Sequence, residues 1–248
     1  MSAFETVIYE RSGAVAYLTL NRPRMLNAYS IGMRDDLFEI LDGLRCDDEI
    51  RVIVFNGSGE KAFCGGADLT EFLTAPSAIS ARKIRALRDL WALFRSIPQV
   101  TIAALHGYVL GSGMEIALFC DMRIGSEDVM FGLPEIGLGI IPGAGGTQTL
   151  PRAIGLSRSL DMLLGNRRMG SAEAYRVGLL DRLVQRSILL QDAQKLANEI
   201  ADKPRPNVAA IKRAIFQGLE LPLQQGLQLE AHLAASVCLS ADNYINRV

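Results

Sequence analysis

Charge is nearly balanced in this sequence, and histidine is scarce. The 248 residues include 26 Lys and Arg against 27 Asp and Glu, which gives a formal net charge of −1 at pH 7. Nucleic acids and anionic membranes attract basic surfaces, so this balance argues against both as the main partner. The only two histidines, His106 and His232, are far apart and belong to no GxSxG nucleophile motif, so we expect structural roles for both.

Cysteine is also rare. Neither a CxxC pair nor a Cys/His cluster occurs, which favours reduced thiols over disulfides and predicts no metal site. The four cysteines are scattered at Cys46, Cys64, Cys120 and Cys238. The first residues lack the basic-then-apolar pattern of a signal peptide, and the apolar run at residues 100–120 is interrupted by glycines and by Glu115. We therefore predict a cytoplasmic protein without a membrane span.

Hydrophobic residues make up 49% of the chain and charged residues 21%, which is enough to bury a large core. Short β-branched runs at residues 6–10 and 14–20 predict a hairpin, and Ser30 is a candidate N-cap for a helix to about Leu44. Further strands are predicted at residues 50–56, 100–105, 122–124 and 129–131, and a helix at 80–97. After Pro151 the sequence is dominated by Ala, Leu, Arg and Gln and has helical periodicity through Ser236. We predict an α/β core at residues 1–190 and a helical C-terminal region at 191–248.

Two glycine-rich loops follow buried strands, and neither is a nucleotide fingerprint. Gly111-Ser112-Gly113 starts like GxGxxG but continues to Ile116, and no GxxxxGK[ST] motif occurs. Tight turns between strand and helix are the simpler explanation of lone glycines. Two such loops, the other at residues 63–68, could however bring backbone N–H groups together on one oxygen, as in an oxyanion hole.

Two glutamates lie in apolar surroundings marked by glycines. Glu115 is the only charged residue at positions 100–120, and Glu135 follows Pro134 in a passage rich in Gly and Ile. Burying a carboxylate is costly unless its pKa rises. One interpretation is a structural pair, each bonded to an arginine such as Arg123. We favour a site in which the two carboxyl groups activate a water and deliver a proton.

Other side chains near these motifs have simpler interpretations. Cys64 is interpreted as a small apolar filler, and Asp68 as a cap of the next helix. Arg24, Lys212 and Arg213 are expected on solvated faces, with a phosphate contact as the alternative.

At these residues the sequence resembles the enoyl-CoA hydratase/isomerase family, also called the crotonase superfamily. The resemblance covers roughly residues 6–202 and depends on several motifs that follow one another in family order. They are residues 20–23 (LNRP), 26–28 (LNA), 63–69 (FCGGADL), 111–115 (GSGME), 120–121 (CD), 131–135 (FGLPE) and 141–148 (IPGAGGTQ). The resemblance implies an α/β fold, a crotonase-like spiral of strand-strand-helix repeats. Its C-terminal helical region would build trimers, often paired into hexamers.

The resemblance also implies roles for individual residues. The backbone N–H groups of Gly65 and Ser112 would hold the thioester oxygen of an acyl-CoA, while Glu115 would activate water and Glu135 would protonate Cα. Family members usually carry glycine where Ser112 stands. Contacts to CoA are implied for Arg24, Met25, Leu26, Cys64, Ala67, Asp68 and Leu69. No metal or separate cofactor is implied, because CoA arrives on the substrate.

A glutamate at both positions implies an enoyl-CoA hydratase, a hydro-lyase that converts a 2-enoyl-CoA and water to a 3-hydroxyacyl-CoA. An isomerase or a hydratase of cyclic dienoyl-CoA with the same fold is the first alternative, because the sequence does not give the shape of the pocket. A non-catalytic scaffold that binds acyl-CoA or RNA is the second. Family chains usually continue past residues 240–242 with a further basic helix. Contacts to the CoA 3′-phosphate and part of the trimer surface are therefore expected to be missing or built differently.

Overall fold

Two sheets with helices packed around them form the fold. The computed structural model describes residues 4–71 and 87–245. The larger sheet has six strands in the order β1-β2-β3-β5-β7-β10, and the smaller has four in the order β4-β6-β8-β9. The strands are β1 (Val7–Ser12), β2 (Val15–Leu20), β3 (Val52–Gly57), β4 (Ala62–Cys64), β5 (Val100–Leu105), β6 (Tyr108–Leu110), β7 (Met122–Ser126), β8 (Met130–Gly132), β9 (Met169–Gly170) and β10 (Arg182–Val184).

The helices follow the strands in a regular rhythm. They are α1 (Ile31–Arg45), α2 (Leu90–Ser96), α3 (Ser112–Phe119), α4 (Gly146–Ile154), α5 (Leu156–Leu164), α6 (Ser171–Arg176), α7 (Leu189–Ala201), α8 (Arg205–Gly218) and α9 (Leu223–Ile245). In each of the pairs β3/β4, β5/β6 and β7/β8, the first strand joins the larger sheet and the second joins the smaller one. These pairs run parallel to the next pair. The predicted α/β spiral of strand-strand-helix repeats is confirmed.

The hairpin predicted at the start of the chain is confirmed. β1 and β2 pair antiparallel, with Ser12 opposite Val15. The turn is at Gly13 and Ala14, where Gly13 has a φ of +59°, a left-handed conformation that glycine adopts without strain.

Helix α1 begins where the sequence predicts. The Ser30 hydroxyl accepts a hydrogen bond from the Met33 N–H at 3.1 Å, which caps one of the free donors of the first turn. Met33, Leu37, Ile40, Leu41 and Leu44 share one face and are buried in the main core. The helix thereby closes the first strand-helix-strand unit over the larger sheet.

The helix predicted at residues 80–97 is seen in its last part. Residues 80–86 lie outside the described residues, and α2 begins after Asp89, whose carboxylate accepts a hydrogen bond from the Ala92 N–H. Phe94 is buried, whereas Leu87, seven residues earlier and thus at helical spacing from it, is 69% exposed. Pro98 follows the helix end, as expected from its missing N–H.

The structure after Pro151 differs from the predicted helical region in two respects. Pro151 lies inside α4, which already begins at Gly146. Two short strands, β9 and β10, interrupt the helices. The sequence does not predict them, because strands of two or three residues are too short to give a periodic pattern. Helix α7 packs on the larger sheet, where Leu189, Ala193 and Ala197 are buried with residues of β3 and β5. The domain boundary at residue 190 stays a prediction.

Candidate active site

The N-terminus of α3 is built on glycines that closely approach other segments. Gly111 precedes the helix with a φ of +50°, and a Cβ there would lie 3.1 Å from Glu135 Oε1 and 3.4 Å from Gly66 Cα. A Cβ on Gly113 would lie 2.5 Å from the Cys64 carbonyl oxygen. The first turn of a helix has N–H groups without an intrahelical acceptor, and the helix dipole makes this end positive. The Ser112 N–H is therefore suited to bind an oxygen that gains negative charge.

Glu115 lies one turn further along α3 and is only 1% exposed. Its Oε1 accepts hydrogen bonds from the backbone N–H groups of Ala144 and Gly146, each at 2.9 Å. Arg123, the partner expected if Glu115 were structural, instead donates to the carbonyl oxygens of Cys120 and Leu179. Two main-chain donors, which favour the carboxylate form, therefore hold the Glu115 side chain.

Glu135 sits in a short 3-10 turn, Pro134–Leu138, directly opposite the Gly111 turn. Its Oε2 is buried without a hydrogen-bond partner. Burial raises the pKa of the Glu135 carboxyl from 4.5 to about 6, and the charge of Glu115 adds to this rise. The group therefore holds a proton at a higher pH than an ordinary glutamate and can donate it near neutrality.

The loop that follows β4 pairs with residues 26–29. Gly65 N–H donates to the Leu26 carbonyl at 2.8 Å, Tyr29 N–H donates to the Gly66 carbonyl at 2.8 Å, and Asp68 N–H donates to the Tyr29 carbonyl at 2.9 Å. The Gly65 N–H, predicted as an oxyanion donor, is thus engaged within the chain. The C=O and N–H of one trans peptide point in opposite directions, so these hydrogen bonds also fix where the other peptide groups of the loop point.

The same geometry shows which N–H of this loop is available. The Gly66 carbonyl points at Tyr29, so the Ala67 N–H of the same peptide points away from residues 26–29. Within the described residues, the Ala67 N–H donates no hydrogen bond to another backbone group. A Cβ on Gly66 would lie 3.3 Å from the Leu110 carbonyl, so this loop touches the turn that leads into Ser112. The sequence gives no signal for Ala67 over Gly65, because peptide orientation is set by a long-range pairing.

Comparison with known proteins identifies the family. The sequence matches the family described as enoyl-CoA hydratase/isomerase over residues 10–244. The chain belongs to this family. The predicted family and fold are confirmed, and the protein is an enzyme.

Individual family members are similar over nearly the whole chain. The crotonyl-CoA hydratase of Syntrophomonas wolfei is 35% identical over 245 residues, which cover 97% of this chain and 92% of that protein. The short-chain-enoyl-CoA hydratase of Clostridium acetobutylicum is 34% identical over 238 residues, 96% of this chain and 90% of that protein. The solved structure of the enoyl-CoA hydratase of Bacillus anthracis has a TM-score of 0.90 at 34% identity and covers 97% of this chain and 96% of that one.

In this enoyl-CoA hydratase/isomerase family member, the residues predicted to contact CoA, apart from Ala67, fall into two groups. Arg24 and Leu26 line a cavity of about 270 Å³ together with Ser58, Glu60 and Lys61. Met25 and Leu69 are 50% and 55% exposed. These four side chains are accessible to a ligand. Neither Glu115 nor Glu135 lines the cavity.

Cys64 and Asp68 face the protein interior instead. Cys64 is completely buried, and burial raises the pKa of its thiol to about 11, which agrees with the interpretation as an apolar filler. The Asp68 carboxylate accepts a hydrogen bond from the Thr70 N–H, as a cap of the next turn does, and forms an ion pair with Arg22 at 2.8 Å. The side chains of both residues are committed to contacts within the chain.

Lys212 corrects one prediction. Instead of lying on a solvated face, its Nζ donates to Asp121 Oδ2 and to the Gln99 carbonyl, each at 2.7 Å. The ion pair is largely shielded from solvent and anchors α8 where β5 and β7 begin. Sequence alone could not place this contact, because Asp121 and Lys212 are far apart along the chain.

Among the residues that the structure describes, no three His, Cys, Asp or Glu side chains cluster in a way that could hold a metal ion. In the same residues, no helix has the length and apolar character needed to cross a membrane.

Proposed function

We propose that this family member is an enoyl-CoA hydratase, which adds water reversibly to a 2-enoyl-CoA to give a 3-hydroxyacyl-CoA. The observation that supports this most is the contrast between Glu115 and Glu135. One is held by two main-chain N–H groups, and the other has a pKa raised to about 6. A pair of carboxyl groups whose environments differ in this way suits one base and one acid at the same site.

The two glutamates divide the proton transfers between them. Glu115, as the carboxylate, takes a proton from water while the water oxygen forms a bond to Cβ of the substrate. Glu135, in its protonated form, delivers its proton to Cα, so the double bond becomes a single bond. After product release, exchange with solvent returns a proton to Glu135 and removes one from Glu115.

The thioester oxygen carries negative charge when water adds to Cβ. We assign its two donors to the backbone N–H groups of Ala67 and Ser112, in place of the predicted Gly65 and Ser112. The support is that the Gly65 N–H is bonded to Leu26, whereas the Ala67 N–H points away from that segment. Donors that are already oriented stabilise this charge without reorganisation, and each contributes on the order of 100–1000-fold in rate.

The CoA portion is proposed to lie along Arg24, Met25, Leu26 and Leu69. Arg24 and Leu26 line the cavity described above, where Arg24 and Lys61 supply positive charge for phosphate groups. The acyl-CoA thioester is then the substrate, and no separate metal or redox cofactor is part of the proposal.

Exposed apolar side chains on and between the last two helices support self-association, and we propose the homotrimer or dimer of trimers that the family resemblance implies. They are Ile211, Ile215, Phe216, Leu219, Leu223 and Leu227, each about half or more exposed. Apolar groups in such number are usually covered by a partner. Light scattering should therefore give a mass of three or six chains, and a monomeric mass would reject this part.

An assay with a panel of thioesters tests the proposed reaction. The enzyme should remove the absorbance of crotonyl-CoA and form 3-hydroxybutyryl-CoA, identified by mass spectrometry. The alternative of a double-bond isomerase is tested with a 3-enoyl-CoA, and that of a ring hydratase with a cyclic dienoyl-CoA. Turnover of either of these at a rate well above that of linear 2-enoyl-CoAs would overturn the proposal.

A further inference from the structure

The segment at residues 22–29 holds an unusual backbone conformation beside the oxyanion loop. Leu26 and Asn27 have φ values of +53° and +54°, which side-chain-bearing residues rarely adopt. Such a conformation persists only where surrounding contacts determine it, and strained residues of this kind concentrate at functional sites. The contacts of this segment therefore indicate what the strain is used for.

Asn27 is the first of these contacts. It is completely buried, and its Nδ2 donates to the carbonyl oxygens of Ser58 and Ala62, each at 2.9 Å. Its Oδ1 accepts from the Arg22 N–H at 2.9 Å and from the Ser58 hydroxyl at 3.3 Å. Both donors and both acceptor positions of the amide are thereby used. The left-handed turn is thus fixed against the strand that leads into the oxyanion loop.

Arg22 connects the two segments at their other end. Its Nη1 donates to the Ala28 carbonyl at 2.7 Å, and its Nη2 lies 2.8 Å from Asp68 Oδ2. Asp68 Oδ1 accepts from the Thr70 hydroxyl at 2.6 Å. The Thr70 hydroxyl and the Arg22 guanidinium hold the pKa of the Asp68 carboxyl below its usual value, so it stays ionised. The ion pair therefore persists over the range of pH at which a hydratase would work.

The main-chain pairing between the segments determines the direction of one peptide group. Because the Gly66 carbonyl is bound to Tyr29, the peptide between residues 66 and 67 cannot rotate without breaking that bond. The Gly65 bond to Leu26 and the Asp68 bond to Tyr29 hold the loop on both sides of it. Whatever holds residues 22–29 in place thus also holds the direction of the Ala67 N–H.

We propose that Arg22, Asn27 and Asp68 are positioning residues, which keep the Ala67 N–H directed at the substrate thioester. None of the three touches the reacting atoms. They act through the pairing of residues 26–29 with residues 65–68. This inference rests on the proposed hydratase function and its oxyanion donors, and it adds residues that the acid-base mechanism does not use.

The test compares Arg22→Gln and Asp68→Asn with Arg182→Gln as a matched control. Arg182 also forms an ion pair with a partly shielded carboxylate, Asp192 at 3.1 Å, but it belongs to β10, which pairs with β7. Two properties are measured. They are the kcat and KM for crotonyl-CoA, and the carbonyl stretching frequency of bound butyryl-CoA labelled with carbon-13 at the thioester, which binds without reacting.

In the Arg22 and Asp68 variants, kcat should fall by at least about tenfold while KM changes by less than about threefold, because the lost interaction acts in the transition state. The carbonyl band should move back toward its frequency in water. The double variant should lose no more kcat than the less active of the two single variants. Arg22→Lys should recover part of the lost kcat. The control should keep the kcat and the band of the wild type.

Several results would overturn the proposal. One is an unchanged band in folded Arg22 and Asp68 variants, and another is an equal shift in the control. Folding is checked by thermal unfolding, and Arg22→Lys serves if the glutamine variant does not fold. Hydration by the wild type with unchanged variants rejects only the positioning role. A wild type that polarises the thioester but hydrates no 2-enoyl-CoA rejects the proposed function, while a band shift in the variants still supports the positioning role.

Discussion

Glu115 Oε1 lies 2.9 Å from the backbone nitrogen of Gly146, the first residue of α4. A Cβ at position 146 would lie 3.2 Å from this oxygen, 3.0 Å from Leu133 Cδ1 and 2.8 Å from Pro142 Cβ. The side chain of the proposed base is thus set by a backbone approach that only glycine allows.

Gly146→Ala should therefore displace Glu115 and lower kcat. Small misplacements of a reacting group are costly, so we expect a loss of roughly 10–100-fold for crotonyl-CoA hydration. Gly170→Ala is the matched control, since this glycine also lies at the start of a helix, but a Cβ added there would have no atom within 4 Å. Equal rates for the two variants would contradict the proposed position of Glu115.

Gly111→Ala tests the contact between the α3 turn and Glu135. The new Cβ would meet Glu135 Oε1 and Gly66, so we expect a loss of activity as well as of stability. Gly13→Ala has nearly the same positive φ but open space around it. Gly13→Ala should lose about 1–2 kcal/mol of unfolding free energy from its positive φ. Gly111→Ala should lose at least as much, because its φ of +50° and ψ of −125° lie outside the left-handed helical region that other residues can adopt. Only Gly111→Ala should lose kcat, and an equally inactive Gly13→Ala would argue against the interpretation.

The choice between Ala67 and Gly65 as oxyanion donor is tested by replacing one amide with an ester. Incorporating lactic acid at position 67 removes the N–H that we assign to the substrate, and kcat should fall on the order of 100–1000-fold. Glycolic acid at position 65 removes the bond to Leu26 and should cost much less. If the ester at 65 proves the more damaging to kcat, Gly65 is the donor, as the sequence predicts.

The raised pKa of Glu135 makes a prediction about stability. A carboxyl whose pKa is higher in the folded protein than in the unfolded chain stabilises the fold below pH 4.5, and this contribution is lost as the pH rises to about 6. Glu135→Gln should therefore unfold at higher denaturant concentration than the wild type near neutral pH. The gain should be about 1 kcal/mol, after allowance for solvent screening of a half-buried group.

The gain from Glu135→Gln should disappear in acid, because the wild-type carboxyl is then protonated as well. Urea unfolding measured from about pH 4 to about pH 8 follows this change. Glu127→Gln, on an exposed residue, provides the control. A Glu135 variant with a constant difference across this range would mean that the pKa of Glu135 is not raised.

The features that can be predicted from the sequence have local signals. A hydroxyl one residue before an apolar helix identifies the Ser30 cap, and lone carboxylates in apolar runs identify Glu115 and Glu135. The short strands of the smaller sheet are harder to predict, because three residues such as Ala62–Cys64 show no period. For Ala67 the sequence indicates a contact to CoA. It does not predict the oxyanion role, because the direction of the Ala67 N–H depends on the hydrogen bond between Tyr29 and Gly66. The burial of Lys212 likewise depends on a distant partner, Asp121.

The hydration of crotonyl-CoA by the single variants Glu115→Gln and Glu135→Gln is the most direct test of the proposed mechanism. Glutamine keeps the shape of each side chain but can neither accept a proton from water nor deliver one. Removing one general acid or base typically costs about 100–10,000-fold, so kcat should fall by at least about 100-fold in each variant, with the fold intact. If both variants keep turnover near that of the wild type, the two glutamates are not the acid and base of this enzyme.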